Sequence, residues 1–163
     1  YAVDRASAVL RSRGVTAAMI NAGGDLYCLG ERFPGRAWVV GIQHPRNRAS
    51  YVYELRVRDR GVDTSGDYER FSVIAGKRFS HIIDPRSGMP VADAIVSATV
   101  IARDSQTADA LATALCILGE PGLRIAETAG ADALILTRGA GGRITTLMTP
   151  GLMEKYDGTQ DRT

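Results

Sequence analysis

The chain has 163 residues, 45% hydrophobic and 23% charged, the composition of one ordinary globular domain long enough to bury a core. Its net charge of +2, from 20 basic and 18 acidic residues, is too mild for a nucleic-acid-binding domain, and no run of about 18 apolar residues offers a membrane span. Two cysteines, Cys28 and Cys116, are too few for a disulfide framework and have no second metal-type ligand beside them. Both read as free and buried, Cys28 in a strand and Cys116 in a helix, with a single bridge between them left open.

The apolar positions Ala2, Val3, Ala6, Val9 and Leu10 follow helical spacing from Tyr1 to Arg13, with Gly14 as the stop. A helix that starts at residue 1 with no capping residue before it fits either a chain cut from something longer or one that simply begins on a helix. No basic stretch leads into an apolar one, so the residues shown contain no signal peptide. Val15 to Ile20 reads as a buried strand, Asn21-Ala22-Gly23-Gly24-Asp25 as a turn, and Leu26 to Leu29 as the second strand of a hairpin. Ala37 to Ile42 and Tyr51 to Val57 are further strands, and the polar segment Gln43 to Ser50 between them is expected to be an exposed loop.

A short extended piece at Gly61 to Thr64 leads into Ser65-Gly66-Asp67-Tyr68, and another precedes His81. Val96 to Ala102 is apolar and β-prone. The alanine- and leucine-rich stretch from Thr107 to Leu118 is the clearest helix, ended by Gly119, and Pro121 opens another through Thr128. Ala131 to Thr137 and Arg143 to Leu147 form a closing strand pair. The chain after Asp157 is polar, so residues 158–163 are expected to fray from a domain spanning 1–157. Hairpins mixed with helices, without regular βαβ alternation, point to an α+β fold with a mainly antiparallel sheet.

Asp109 and Thr113 lie four apart on the strongest helix and so share a face. A carboxylate beside a hydroxyl is a pair of hard oxygen ligands suited to magnesium or calcium. A structural reading competes and leads on spacing alone: Asp109 would favour the helix dipole from the first turn, and Thr113 would bond back to the carbonyl four residues earlier. His81 has a pKa range suited to proton transfer, yet in isolation an imidazole satisfied by a backbone carbonyl is the commoner case. His44, in a polar loop, has no partner pattern. Neither glycine-rich turn, Asn21 to Asp25 or Thr64 to Asp67, matches a P-loop or a dinucleotide fingerprint.

Four blocks, NAGGDLYCLG, DTSGDYERF, HIIDPRSGMPV and SATVIARDSQTADALATALCILG, occur in an order and spacing that resembles the FAD:protein FMN transferase family, ApbE. They cover most of Asn21 to Gly119. The resemblance implies that Asp109 and Thr113 bind Mg2+, that His81 is catalytic, and that Ile83 touches FAD, with Asp84 beside it in the same block. Gly24, Asp25, Ser65 and Gly66 would line the flavin pocket. It also implies an acceptor protein that receives FMN on a threonine or serine hydroxyl, with AMP leaving, and a place in the bacterial cell envelope.

Two departures stand out. Ser87 replaces a more usual threonine, and Asp63 stands where a small residue is more common, so that its carboxylate would either shift the charge of the pocket or face water. Against the family pattern the N-terminal half is missing, from which weak FAD binding and little turnover are expected of these residues alone. An FAD pyrophosphatase and a non-catalytic flavin-binding domain are the competing readings.

Overall fold

A computed structural model describes residues 1–66, 71–91 and 94–160. Helix α1 (Ala2–Ser12) precedes a hairpin of β1 (Ala18–Ala22) and β2 (Asp25–Leu29), and a second hairpin of β3 (Trp38–His44) and β4 (Asn47–Val57) follows. Then come β5 (Arg60–Gly66), two small ribbons made by β6 (Phe71–Ile74) with β7 (Lys77–Ser80) and β8 (Ile83–Asp84) with β9 (Met89–Pro90), and the long strand β10 (Ile95–Ala102). Helices α2 (Ser105–Leu118) and α3 (Glu120–Thr128) lead to β11 (Asp132–Arg138), β12 (Ile144–Met148), the short helix α4 (Leu152–Lys155) and β13 (Thr159–Gln160).

The main sheet runs β1-β2-β5-β10-β11-β12, and every pairing in it is antiparallel. The expected α+β class holds. Both faces of this sheet are covered, which explains why β10 reads as an almost continuous apolar run rather than an alternating one. On one face Ala98, Val100, Ala133 and Ile135 pack against Ala108, Ala112 and Leu115 of α2 and Leu123 and Ala126 of α3. Alanines at Ala108 and Ala112 let the helix lie close to the strands. On the other face Leu26, Cys28, Val62 and Leu134 meet Ile42, Leu55 and Val57 from a second sheet, ordered β13-β4-β3, together with Leu152 and Tyr156. Helix α1 closes a third cluster over Tyr27 and Leu29 through Val3.

Two contacts fix where α2 begins. Asp104 caps it, accepting the Thr107 N–H at 2.7 Å, and Asp4 of α1 accepts the Ser105 and Gln106 N–H groups at 2.7 and 2.9 Å. Gly61 on β5 lies directly beneath: a Cβ there would stand 2.3 Å from the Asp104 carbonyl carbon and the Ser105 nitrogen. Only glycine admits that approach.

Several expectations are corrected. The segment from Gln43 to Ser50 is not a loop, because β3 and β4 continue through it and leave only Pro45 and Arg46 in the turn. Polar residues suit an edge hairpin with a solvated face, and the proline sits where no ladder donor is required. The polar tail does not simply fray. Buried Leu152 and Tyr156 carry the chain back over β4, and Thr159 and Gln160 pair with Glu54 and Tyr53. Residues 161–163 lie outside the described residues, as do Asp67 and Tyr68 of the second glycine turn. Cys28 and Cys116 are both buried and form no disulfide with each other.

Candidate active site

The site is made where β2, β5 and α2 meet. Along β5 the period-2 alternation sends Val62 and Thr64 to the second sheet, where Thr64 Oγ1 lies 2.8 Å from Thr99 Oγ1. Asp63 and Ser65 therefore face α2. On the helix, Asp109 and Thr113 stand one turn apart and look back at them. Thr113 Oγ1 and Ser65 Oγ are 3.0 Å apart, and the Cys116 thiol donates to the Ser65 carbonyl at 3.4 Å. Asp25, the first residue of β2, completes the group. One carboxylate oxygen from each of Asp25, Asp63 and Asp109 lies within 4.8 Å of the other two.

The electrostatics follow from burial. Asp63 is only 6% exposed, whereas Asp109 is exposed and Asp25 half-buried. Burial, the hydrogen bond with Asp25, and the nearby charges of Asp109 and Asp25 push the Asp63 carboxyl up to about 7, partly offset by the Thr64 N–H. Three carboxylates crowded against a paired hydroxyl are a set of hard oxygens whose mutual repulsion a divalent cation would relieve. The residues present fit magnesium.

Gly24 sits on the rim of this group. Its N–H donates to Asn21 Oδ1 at 3.1 Å, and nothing lies within 4 Å of the place a Cβ would take. Gly24, Asn21, Asp63 and Thr64 border a cleft of about 390 Å³, whose other wall carries Val39, Gly41 and Tyr51.

Of the residues singled out in the sequence, Gly24, Asp25, Ser65, Gly66, Asp109 and Thr113 come together here. Asp109 is not in the first turn of its helix, since the helix starts at Ser105 behind the Asp104 cap. Thr113 meets the Ser65 hydroxyl across the helix–strand gap rather than turning back on its own helix. His81 is exposed and follows β7 directly, while Ile83, 47% exposed, and Asp84 lie on the separate β8–β9 ribbon. The Asp84 carboxylate is engaged by Arg86, with contacts of 2.7–3.2 Å that hold its pKa below the usual range, and its carbonyl closes the turn onto Gly88 at 2.8 Å. That is a turn-building role. Asp63 is the residue the sequence reading left undecided between pocket and water; it is buried at the centre of the cluster. Its signal in the sequence is an acid spaced two from Ser65 in an extended segment, which puts both on one face.

The pattern that defines the ApbE family matches residues 1–135. The FAD:protein FMN transferase of Escherichia coli (strain K12) is 33% identical over 152 residues, which is 92% of this chain and 43% of that protein. The structure of the ApbE protein of Thermotoga maritima superposes with a TM-score of 0.79 at 37% identity, over 89% of this chain and 47% of that one. The apo flavinyl transferase ApbE of Pseudomonas stutzeri gives 0.79 at 33% identity, over 96% and 48%. The chain thus spans less than half the length of these relatives, matching their C-terminal part. With the blocks Asn21–Gly30 and His81–Val91 set in this fold and the Asp109–Thr113 pair facing β5, the chain belongs to the ApbE family.

Proposed function

We propose that a protein containing this chain transfers FMN from FAD to a threonine or serine hydroxyl of an acceptor protein, with Mg2+ and with release of AMP. The observation that carries the reading is the Asp25–Asp63–Asp109 cluster beside the Thr113–Ser65 hydroxyl pair, in a chain of this family. The relatives named above are FAD:protein FMN transferases, and the proposal extends that activity to this protein.

In the reaction the acceptor hydroxyl forms a bond to the phosphorus on the FMN side of the pyrophosphate. The bond from that phosphorus to the bridging oxygen breaks, and AMP departs with the electron pair. Asp109, Thr113 and the neighbouring carboxylates would hold Mg2+, which when bound neutralises phosphate charge and helps orient the groups. His81 takes the proton of the attacking hydroxyl, a contribution of roughly a hundred- to ten-thousand-fold in rate. Gly24 and Gly66 let the flavin nucleotide approach the backbone, Ser65 supports Thr113 from across the gap, and Ile83 offers an exposed apolar contact to the flavin. Asp84 shapes the turn that presents it.

The test is to incubate the protein with FAD, Mg2+ and a threonine-containing acceptor domain, reading covalent flavin by in-gel fluorescence and intact mass. The acceptor should gain one FMN, and Asp109→Ala should abolish the gain. FMN and AMP formed without acceptor labelling would replace transfer by hydrolysis. If neither labelling nor AMP release occurs, even when the chain is joined to the remaining length its relatives have, the transferase reading is wrong.

A further inference from the structure

Six of the chain's 20 basic residues are gathered at one place away from the carboxylate cluster. Two neighbouring clefts of about 430 and 420 Å³ share Ala37 and Arg56 at the start of β3 and the end of β4. Their walls carry six bases, Arg32, Arg36, Arg56, Arg58, Arg60 and Lys155, against two acids, Asp59 and Asp157. Glu31, paired with Arg58, and Asp132, paired with Lys155, bring the acids to four. Arg11, paired with Asp59, adds a base, so seven bases against four acids leave this surface basic, while the candidate active site is acidic.

Arg60 precedes Asp63 by three residues on β5 and so lies on the strand face opposite the carboxylate cluster.

The tip of the β2–β3 connection adds an aromatic. Phe33 is 57% exposed, with Arg32 held over its ring at 5.5 Å, and Arg36 pairs with it across the turn. The turn through Pro34 and Gly35 is pinned. The Arg36 N–H donates to the Phe33 carbonyl at 2.8 Å, the Phe33 N–H returns to Arg36 at 3.3 Å, and the Gly35 N–H donates to Glu31 at 2.8 Å. Arg32 and Arg36 form no ion pair among the described residues. A pinned turn therefore holds an exposed phenyl ring beside two guanidinium groups that form no ion pair among the described residues, above clefts of like charge. Bidentate guanidinium contacts suit phosphate oxygens, and an aromatic beside them suits the boundary between headgroup and acyl chain.

We propose that this end of the molecule is a docking surface for an anionic phospholipid bilayer, with Arg32, Arg36, Arg56 and Arg58 meeting headgroup phosphates and Phe33 entering the interface. A soluble phosphate ester would use the clefts but not Phe33.

The experiment is co-sedimentation of the protein with vesicles of phosphatidylcholine alone and of phosphatidylcholine mixed with phosphatidylglycerol, across a salt series. Binding is expected only to the mixed vesicles and should weaken with salt. The double variant Arg32→Ala/Arg36→Ala should lower partitioning roughly thirtyfold, as expected for two bases near an anionic surface. Phe33→Ser should lower it further at high salt, where the charges are screened. Far-UV circular dichroism checks that these exposed substitutions leave the fold intact. Absence of phosphatidylglycerol-dependent binding, or binding unchanged in both variants, overturns the proposal. Calorimetric binding of inorganic phosphate or of polyglutamate, without vesicle binding, reassigns the clefts and also overturns it.

Discussion

Asp63→Asn isolates the crowding of the carboxylate cluster. In the folded protein the Asp63 carboxyl is pushed from 3.8 up to about 7, chiefly by burial. Each tenfold change in proton affinity is worth ~1.4 kcal/mol, so the difference between folded and unfolded states amounts to about 4 kcal/mol. The sign follows from which state holds the proton. Between those two pH values the folded chain keeps it while the unfolded chain has released it, so stability falls as pH rises. The contribution is fully present below 3.8 and is lost as pH passes through about 7. Asparagine keeps the shape and a hydrogen bond for Asp25 but cannot ionise.

The assay is urea denaturation in a chelator from acid below 3.8 to mildly alkaline pH, for the wild type and the variant. The wild type should lose about 4 kcal/mol over that range beyond whatever the variant loses, so the variant becomes the more stable of the two at alkaline pH. Added Mg2+ should restore the wild type at alkaline pH and do less for the variant. A wild-type profile that matches the asparagine variant across the range would refute the reasoning, because Asp63 would then not be a crowded buried acid.

Three further outcomes follow from the packing. Gly61→Ala places a methyl group 2.3 Å from the Asp104–Ser105 backbone, which cannot swing aside; a loss of about 2 kcal/mol is expected in denaturant midpoints, with weaker Mg2+ binding because α2 carries Asp109 and Thr113. Asp4→Ala removes the acceptor of two helix N–H groups and should cost about 1–2 kcal/mol, with faster hydrogen exchange at Ser105 and Gln106. Tyr156→Phe breaks the 2.8 Å bond to buried Asp132, whose carboxylate keeps Lys155 at 2.6 Å; a loss of about 1 kcal/mol in thermal or chemical unfolding is expected.

Much of the architecture was legible from local pattern. Helix α2 declares itself by its alanine and leucine spacing and its Gly119 stop, and the β1–β2 and β11–β12 hairpins by apolar runs separated by glycine-rich turns. These depend on interactions within a few residues of chain, which one sequence displays. The blocks from Asn21 to Gly119 also carried the family resemblance, and with it the roles proposed for Asp109 and Thr113.

The continuation of β3 and β4 through a polar stretch and the β6–β7 ribbon were not legible, because largely exposed residues carry no buried-face alternation. Nor were α4 and the return of Thr159 to β4, because partners distant in sequence hold them. The same reason governs the site. That Asp109 and Thr113 share a helix face is written in their spacing, but that this face meets Asp63 and Ser65 depends on the register of β5 against β10 and on how far α2 slides along it. Gly61 and Asp4 set that slide. The charge count showed a chain near neutrality, and only the folding of β3, β4 and α4 to one end separates an acidic cluster from a basic surface. Spacing along the chain determines which side chains share a face; tertiary packing decides what each face meets, because proximity across elements is fixed by register and close approach rather than by sequence separation.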